Sequence, residues 1–206
     1  MTDSCVTQTN SWLPLITPII AFITGFVTSI FAEPIRRRIF RPKVELTFNN
    51  DSDHVSVTPD YSEGKEHNAY YIRVGVVNNS SRLAKQCRAY LINVEEKVNS
   101  VYERTAYADS IQLSWSCRIF GAELEPIDLP HGVIQYVDLI ATNSDNNSYW
   151  PQIRPFPKRY KEIFENNKKS LRFTVQVSGE EMDPELIKII FVWKGKWDIF
   201  DVYCEI

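Results

Sequence analysis

The chain has 206 residues, of which 44% are hydrophobic and 24% charged, with a net charge of −3 at neutral pH. Residues 1–43 hold five basic and two acidic side chains, a local charge of +3, which leaves −6 on the remainder. An acidic domain of that kind is a poor partner for nucleic acid, so no nucleic-acid role is expected.

Residues 1–11 form a short N-terminal tail without Lys or Arg. The segment from Trp12 to Ala32 is uncharged and ends abruptly in the basic residues Arg36, Arg37, Arg38, Arg41 and Lys43. As a helix, 21 residues at about 1.5 Å each span about 31 Å, enough for one bilayer crossing. Pro14 falls in the first turn, where its missing amide costs nothing, and Pro18 loosens the second turn. A cleaved export signal is the rival reading. Ile30-Phe31-Ala32 is a weak cleavage pattern, but the basic leader of a signal peptide is missing and the apolar run is too long. A soluble core helix would show an amphipathic face, and none is evident.

All flanking basic charge follows the run. The positive-inside rule therefore places the N-terminus outside and the rest of the chain in the cytoplasm. Trp12 suits the outer interface as an aromatic anchor, and Arg36, Arg37, Arg38, Arg41 and Lys43 suit anionic headgroups on the inner side. Membrane lipid is thus one expected partner. Thr17, Ala21, Gly25 and Ser29 recur every four residues and would form a ridge of small side chains. Such a ridge allows close helix approach and a homo-oligomer. Ordinary small-residue content is the plainer account of the same residues.

Residues 33–42 are a basic linker, and Pro42 ends any helical continuation. From 43 to 206 the sequence reads as many short strands separated by turns. KVELTF (43–48) and HVSVTP (54–59) come first. AYYIRVGVVN (69–78) follows, with Tyr70, Ile72, Val74 and Val76 on one face. CRAYLINVEE (87–96) and IQLSWSC (111–117) come next, then LPHGVIQYVDLIA (129–141) behind a Pro-x-Gly turn. PKRYKEIFENN (157–167) is the one expected helix. SLRFTVQVSG (170–179) alternates cleanly through Leu171, Phe173, Val175 and Val177. LIKIIFVW (186–193), a Lys194-Gly195-Lys196 turn and WDIFDVYCEI (197–206) complete an expected hairpin. The pattern predicts a mainly β fold, an antiparallel sandwich with one short helix.

YYIRVGVVNNSSRLAKQCRAYLINV resembles the paired strands of immunoglobulin-like or fibronectin-like modules in bacterial single-pass membrane proteins. The carrying features are a strand ending in Val-x-Asn, a turn, and an Ala-x-x-Cys strand. DLPHGVIQYVDL is similar to the Pro-Gly turn before their middle strand. The resemblance implies an immunoglobulin-like sandwich and a bacterial inner-membrane location. It brings no catalytic residue, and the Cys–Trp–Cys spacing of antibody domains is lacking.

Chemistry is hard to find in the sequence. The four cysteines, Cys5, Cys87, Cys117 and Cys204, make no Cys-x-x-Cys pair, and in a reducing cytosol the last three are expected to be free and buried. His54, His67 and His131 stand far apart. No catalytic residue, metal site or cofactor is therefore expected. The acidic stretch 179–185, with Glu180, Glu181, Asp183 and Glu185, raises calcium as an option, and a solvated loop as the plainer one.

The most unusual soluble stretch is YWPQIRPFPKRYKEIF (149–164). Tyr149, Trp150, Arg154, Phe156, Arg159 and Tyr160 form one candidate surface for an unknown protein or small-molecule partner, and the Lys194, Lys196 and Trp197 hairpin tip forms another. The alternative is that these aromatics cover one end of the sandwich. The expected function is a membrane-anchored binding or sensing module. Two rivals stay open: a membrane-disrupting effector activated by helix assembly, and a membrane-tethered hydrolase without a recognisable motif.

Overall fold

A computed structural model describes residues 41–62, 65–116, 118, 121–145, 147–153, 155–165 and 169–205, together with Pro18, Phe22, Gly25, Phe26 and Ala32. The chain divides into two units, Met1–Phe40 and Arg41–Ile206. In the first unit the five described residues are helical, and the rings of Phe22 and Phe26 stack with centroids 6.3 Å apart. No helix among the described residues is long and apolar enough to cross a membrane. Most of the 12–32 stretch lies outside the described residues, and with it Trp12, Thr17, Ala21, Ser29, Arg36, Arg37 and Arg38.

The second unit is mainly β: two antiparallel sheets around one core, with one short helix. In sheet one, β1 (Val44–Thr47) and β2 (Val55–Ser62) lie end to end along one edge of β3 (Lys65–Asn78). β9 (Ile134–Asn143) pairs with the other edge of β3. β7 (Ser114–Trp115) and β10 (Ser148–Pro151) then pair with β9. Sheet two runs β13 (Ile199–Cys204), β12 (Glu185–Lys196), β11 (Ser170–Glu180), β4 (Ala84–Val98). The free edge of β4 is covered in turn by β8 (Ile127–Leu129), β6 (Ile111–Gln112) and β5 (Val101–Arg104).

Period-two alternation builds the core, because successive side chains of a strand face opposite sides of the sheet. Ile72, Val74 and Val76 of β3 are fully buried, as are Leu171, Phe173, Val175 and Val177 of β11. Tyr70, on the same face of β3, packs on Phe200 of β13 and on Trp197 in the turn before it. Ala84 and Cys87 break the period, since both are fully buried three residues apart. The cause is a bulge: the register against β8 shifts between them, Gln86 takes a positive φ of 53°, and its amide donates to Asp128. The Ala-x-x-Cys spacing is thus the signature of a bulge.

Asn78 closes β3 and is fully buried. Its Nδ2 donates to the carbonyls of Arg82 (2.5 Å) and Leu129 (2.8 Å), and its Oδ1 accepts from the amide and hydroxyl of Ser80. One side chain therefore ties the β3–β4 crossover to the β8–β9 turn. β4 and β5 are joined by Asn99 and Ser100, both at positive φ, the two-residue hairpin geometry that matches strand twist. The chain changes sheets within 111–115: Gln112 pairs in sheet two and Ser114 in sheet one, with the buried Leu113 between them.

Register defines two ends. At the proximal end residues 41–44 lead in, Asn79 donates to the Lys43 carbonyl, and Lys85 faces Glu180. At the distal end lie Lys97, Ser170 and the β12–β13 tip. Lys85 and Lys97, both on β4, are separated by about 40 Å at about 3.3 Å per residue.

Candidate functional site

The 149–164 stretch is not a free loop. Residues 148–151 form β10, which turns the Tyr149 side chain inward, where it is 2% exposed and packs against Phe191 and Trp193, each at 5.0 Å. A 3-10 turn (Lys158–Tyr160) and the short helix (Lys161–Glu165) then fold the chain back. Tyr160 is also buried, its hydroxyl donating to Asp109 at 2.6 Å and its ring 4.7 Å from that of Tyr107. Tyr149 and Tyr160 are therefore anchors of this segment, a correction to their reading as partner-facing residues. For Tyr149 the reason is the pairing of β10 with β9, because alternate side chains of a strand face opposite sides of the sheet; for Tyr160 it is the return of the chain through the 3-10 turn onto Tyr107 and Asp109.

Trp150 and Phe156 are half-buried and meet edge to face at 5.4 Å, with Phe156 in turn on Phe164. Arg159 is exposed and ion-paired with Asp109. The hydrogen bonds from Tyr160 and Arg159 hold the Asp109 carboxyl below its ordinary range. Arg154 lies outside the described residues.

The β12–β13 tip also differs from expectation. Lys194, Gly195 and Lys196 belong to β12, and the turn is Trp197–Asp198. Lys196 pairs with Ile199, and the register shifts between Trp193 and Lys196. Gly195 absorbs that bulge at a φ of +91°, a conformation glycine takes without a Cβ penalty. Lys194 and Lys196 are exposed, and Lys194 bonds Asp201 at 2.7 Å. Trp197 is half-buried on Tyr70, with its amide donating to Asn147.

Lys194 also borders an open cleft of about 400 Å³ at the distal end, together with Lys97, Lys169, Ser170, Val192 and Trp193. Lys169 pairs with Glu96 at 3.1 Å. Lys97 lies over the Tyr102 ring at 5.9 Å, and the Tyr102 hydroxyl is 3.1 Å from Ser170 Oγ. At the proximal end a cleft of about 300 Å³ is lined by Pro42, Arg82, Leu83, Lys85, Glu180 and Glu181. Arg41 ion-pairs with Asp183 at 2.5 Å, while Lys43 is exposed.

Two polar clusters escaped the sequence reading. In the first, His54 is 5% exposed, its Nδ1 lies 2.7 Å from Asp51 Oδ1, and its ring sits edge to face with Phe48 and Tyr136. That hydrogen bond holds the Asp51 carboxyl below its ordinary range. The Asp-x-x-His spacing within a turn-rich stretch was the available signal. In the second, Asp138 accepts from Arg73 Nε at 3.0 Å and from Ser116 Oγ at 2.5 Å, and Arg73 also donates to Ser56. Both lie on the outer face of sheet one.

Cys87 and Cys204 are free thiols, the first buried and the second half-buried, whereas Cys5 and Cys117 lie outside the described residues. Among the described residues no group of three or more His, Cys, Asp or Glu side chains is placed to hold a metal ion. The chain is a two-sheet antiparallel β-sandwich protein. No family model matches it, and neither does any curated protein.

Proposed function

We propose that the chain is a single-pass protein of a bacterial inner membrane, with its N-terminus outside and its β-sandwich in the cytoplasm as a binding or sensing module. One observation carries the reading: the proximal end receives the chain at Arg41–Val44, while the lysine-lined cleft lies at the other end of β4. The entry point of the chain and the cleft are thus separate surfaces of the sandwich, and the cleft end is the candidate surface for a cytoplasmic partner. The uncharged 12–32 stretch followed by Arg36–Lys43 supports the anchor and its orientation. The two-sheet arrangement, with β3 passing into β4 across the sheets, supports the immunoglobulin-like reading of the strands. Trp12 and the basic cluster would meet lipid, and the small-residue ridge through Gly25 would pair two copies.

The test has two arms. A membrane-impermeant maleimide applied to intact cells or spheroplasts labels Cys5 and leaves a reporter cysteine at Lys194 unlabelled; the reverse pattern rejects the orientation. Partner recovery from native membranes falls in Lys196→Glu and Trp197→Ala at the distal tip and persists in Lys85→Glu at the proximal end. Equal recovery in all three rejects the distal end as the recognising surface.

A further inference from the structure

We propose that the distal cleft binds a soluble phosphate monoester with an apolar body. The cleft is about 400 Å³, within the size range of small-molecule sites. Three lysines, Lys97, Lys169 and Lys194, line this one space, together with Ser170. Lysine acts on phosphate as a flexible point charge, and a lining of lysines and a serine suits the several oxygens of a phosphate dianion better than the two of a carboxylate.

The carboxylates nearby do not neutralise the site. Glu96 pairs with Lys169 and Asp201 with Lys194, which leaves the Lys97 ammonium, whose contact is the face of Tyr102. The Lys194–Asp201 pair is about half exposed on both sides and exchanges partners easily. Tyr102 is itself held, its ring under the Arg172 guanidinium at 4.5 Å and its hydroxyl at Ser170 Oγ. The same hydroxyl contact positions Ser170. The rest of the wall is apolar, formed by Val192 and Trp193 and by the lysine stems, which suits a ligand with a non-polar body.

This assignment rests on the distal end being the recognising end, and it is tested on purified protein so that the two stand or fall separately. The full chain in neutral detergent is titrated with 1-naphthyl phosphate, 1-naphthol and inorganic phosphate by calorimetry. Naphthyl phosphate is expected to bind saturably with a Kd of about 1 mM or tighter, and each fragment at least about tenfold more weakly. Lys97→Ala is expected to weaken binding by about tenfold and Lys97→Glu to abolish it, whereas Lys85→Ala at the proximal cleft leaves it unchanged. Lys97 is exposed, so both variants are expected to keep the fold, which a thermal melt checks. Naphthyl phosphate binding stays undiminished when phosphatidic acid is included in the micelles. Absence of saturable binding at about 10 mM, equal binding of naphthol, an unaffected Lys97→Glu variant, or displacement by the phosphatidic acid overturns the proposal.

Discussion

His54 lies directly over Gly75. A Cβ built on that glycine would stand 3.2 Å from His54 Nε2 and 2.5 Å from Thr47 Oγ1. The imidazole occupies the hollow that the glycine leaves on the outer face of sheet one, oriented by Asp51 and walled by Phe48 and Tyr136. The β1–β2 corner is thereby clamped to β3.

Gly75→Ala is therefore expected to destabilise the domain by about 1–3 kcal/mol through overpacking. The nearer obstacle is the threonine hydroxyl, so Thr47→Ala in the same chain should restore part of the loss. Chemical denaturation of the two single variants and the double variant measures the coupling. Strict additivity would show that the contact with Thr47 is not the cause.

Asn78 carries a concentrated set of polar contacts. Asn78→Leu leaves the Leu129 carbonyl and the Ser80 amide without their side-chain partner and removes one of two donors to the Arg82 carbonyl, and it is expected to cost about 2–4 kcal/mol. Hydrogen exchange should rise together at the 79–83 and 129–133 backbone, because one side chain holds both turns. A rise in only one of them would contradict that link.

Trp150 and Phe156 cover the end of the core next to Phe164 and Phe173. Phe156→Ala is expected to lower stability by about 2–4 kcal/mol in a thermal or urea melt. An unchanged melt, with partner recovery lost, would return these rings to the role of a docking surface.

Acid sensitivity follows from Glu205. The hydrogen bond from Arg172 holds its carboxyl below the ordinary range, against an opposing effect of burial, and Lys188 adds to the lowering. A lowered folded value favours the native state above the unfolded carboxyl range, and this contribution is lost as pH falls through the folded value. Glu205→Gln should therefore melt at a lower temperature than the parent at neutral pH, with the gap closing in acid. The expected size is at most about 1 kcal/mol, since the group is partly exposed.

Cys87 gives the alkaline counterpart. Burial pushes its thiol up to about 11, with the Asp128 charge adding to the effect. Its stabilising contribution is complete below the ordinary thiol range and is lost as pH rises from there through about 11. At neutral pH Cys87 should react with iodoacetamide only on unfolding, and Cys87→Ala should flatten the alkaline fall in stability. Rapid native labelling at this position would show that the β4 bulge opens.

The sequence by itself determined the β class and the inward face of its main strands. Tyr70 to Val76 and Leu171 to Val177 reveal themselves because a two-residue period is a local property, written wherever one face of a strand is buried. The uncharged 12–32 run and its basic flank are likewise local. Only the tertiary structure decided the rest. Residues 148–151, with a proline at the end, became a strand because β9 offered an unpaired edge, and that pairing buried Tyr149. The turn moved from Lys194–Lys196 to Trp197–Asp198 because the register with β13 admits a bulge at Gly195. The distal cleft gathers Lys97, Lys169 and Lys194 from positions up to 97 residues apart, and Asp138 meets Ser116 and Arg73 from three separate segments. Such sites depend on which strands lie side by side and in which register, and neither is encoded in the spacing of residues along one strand.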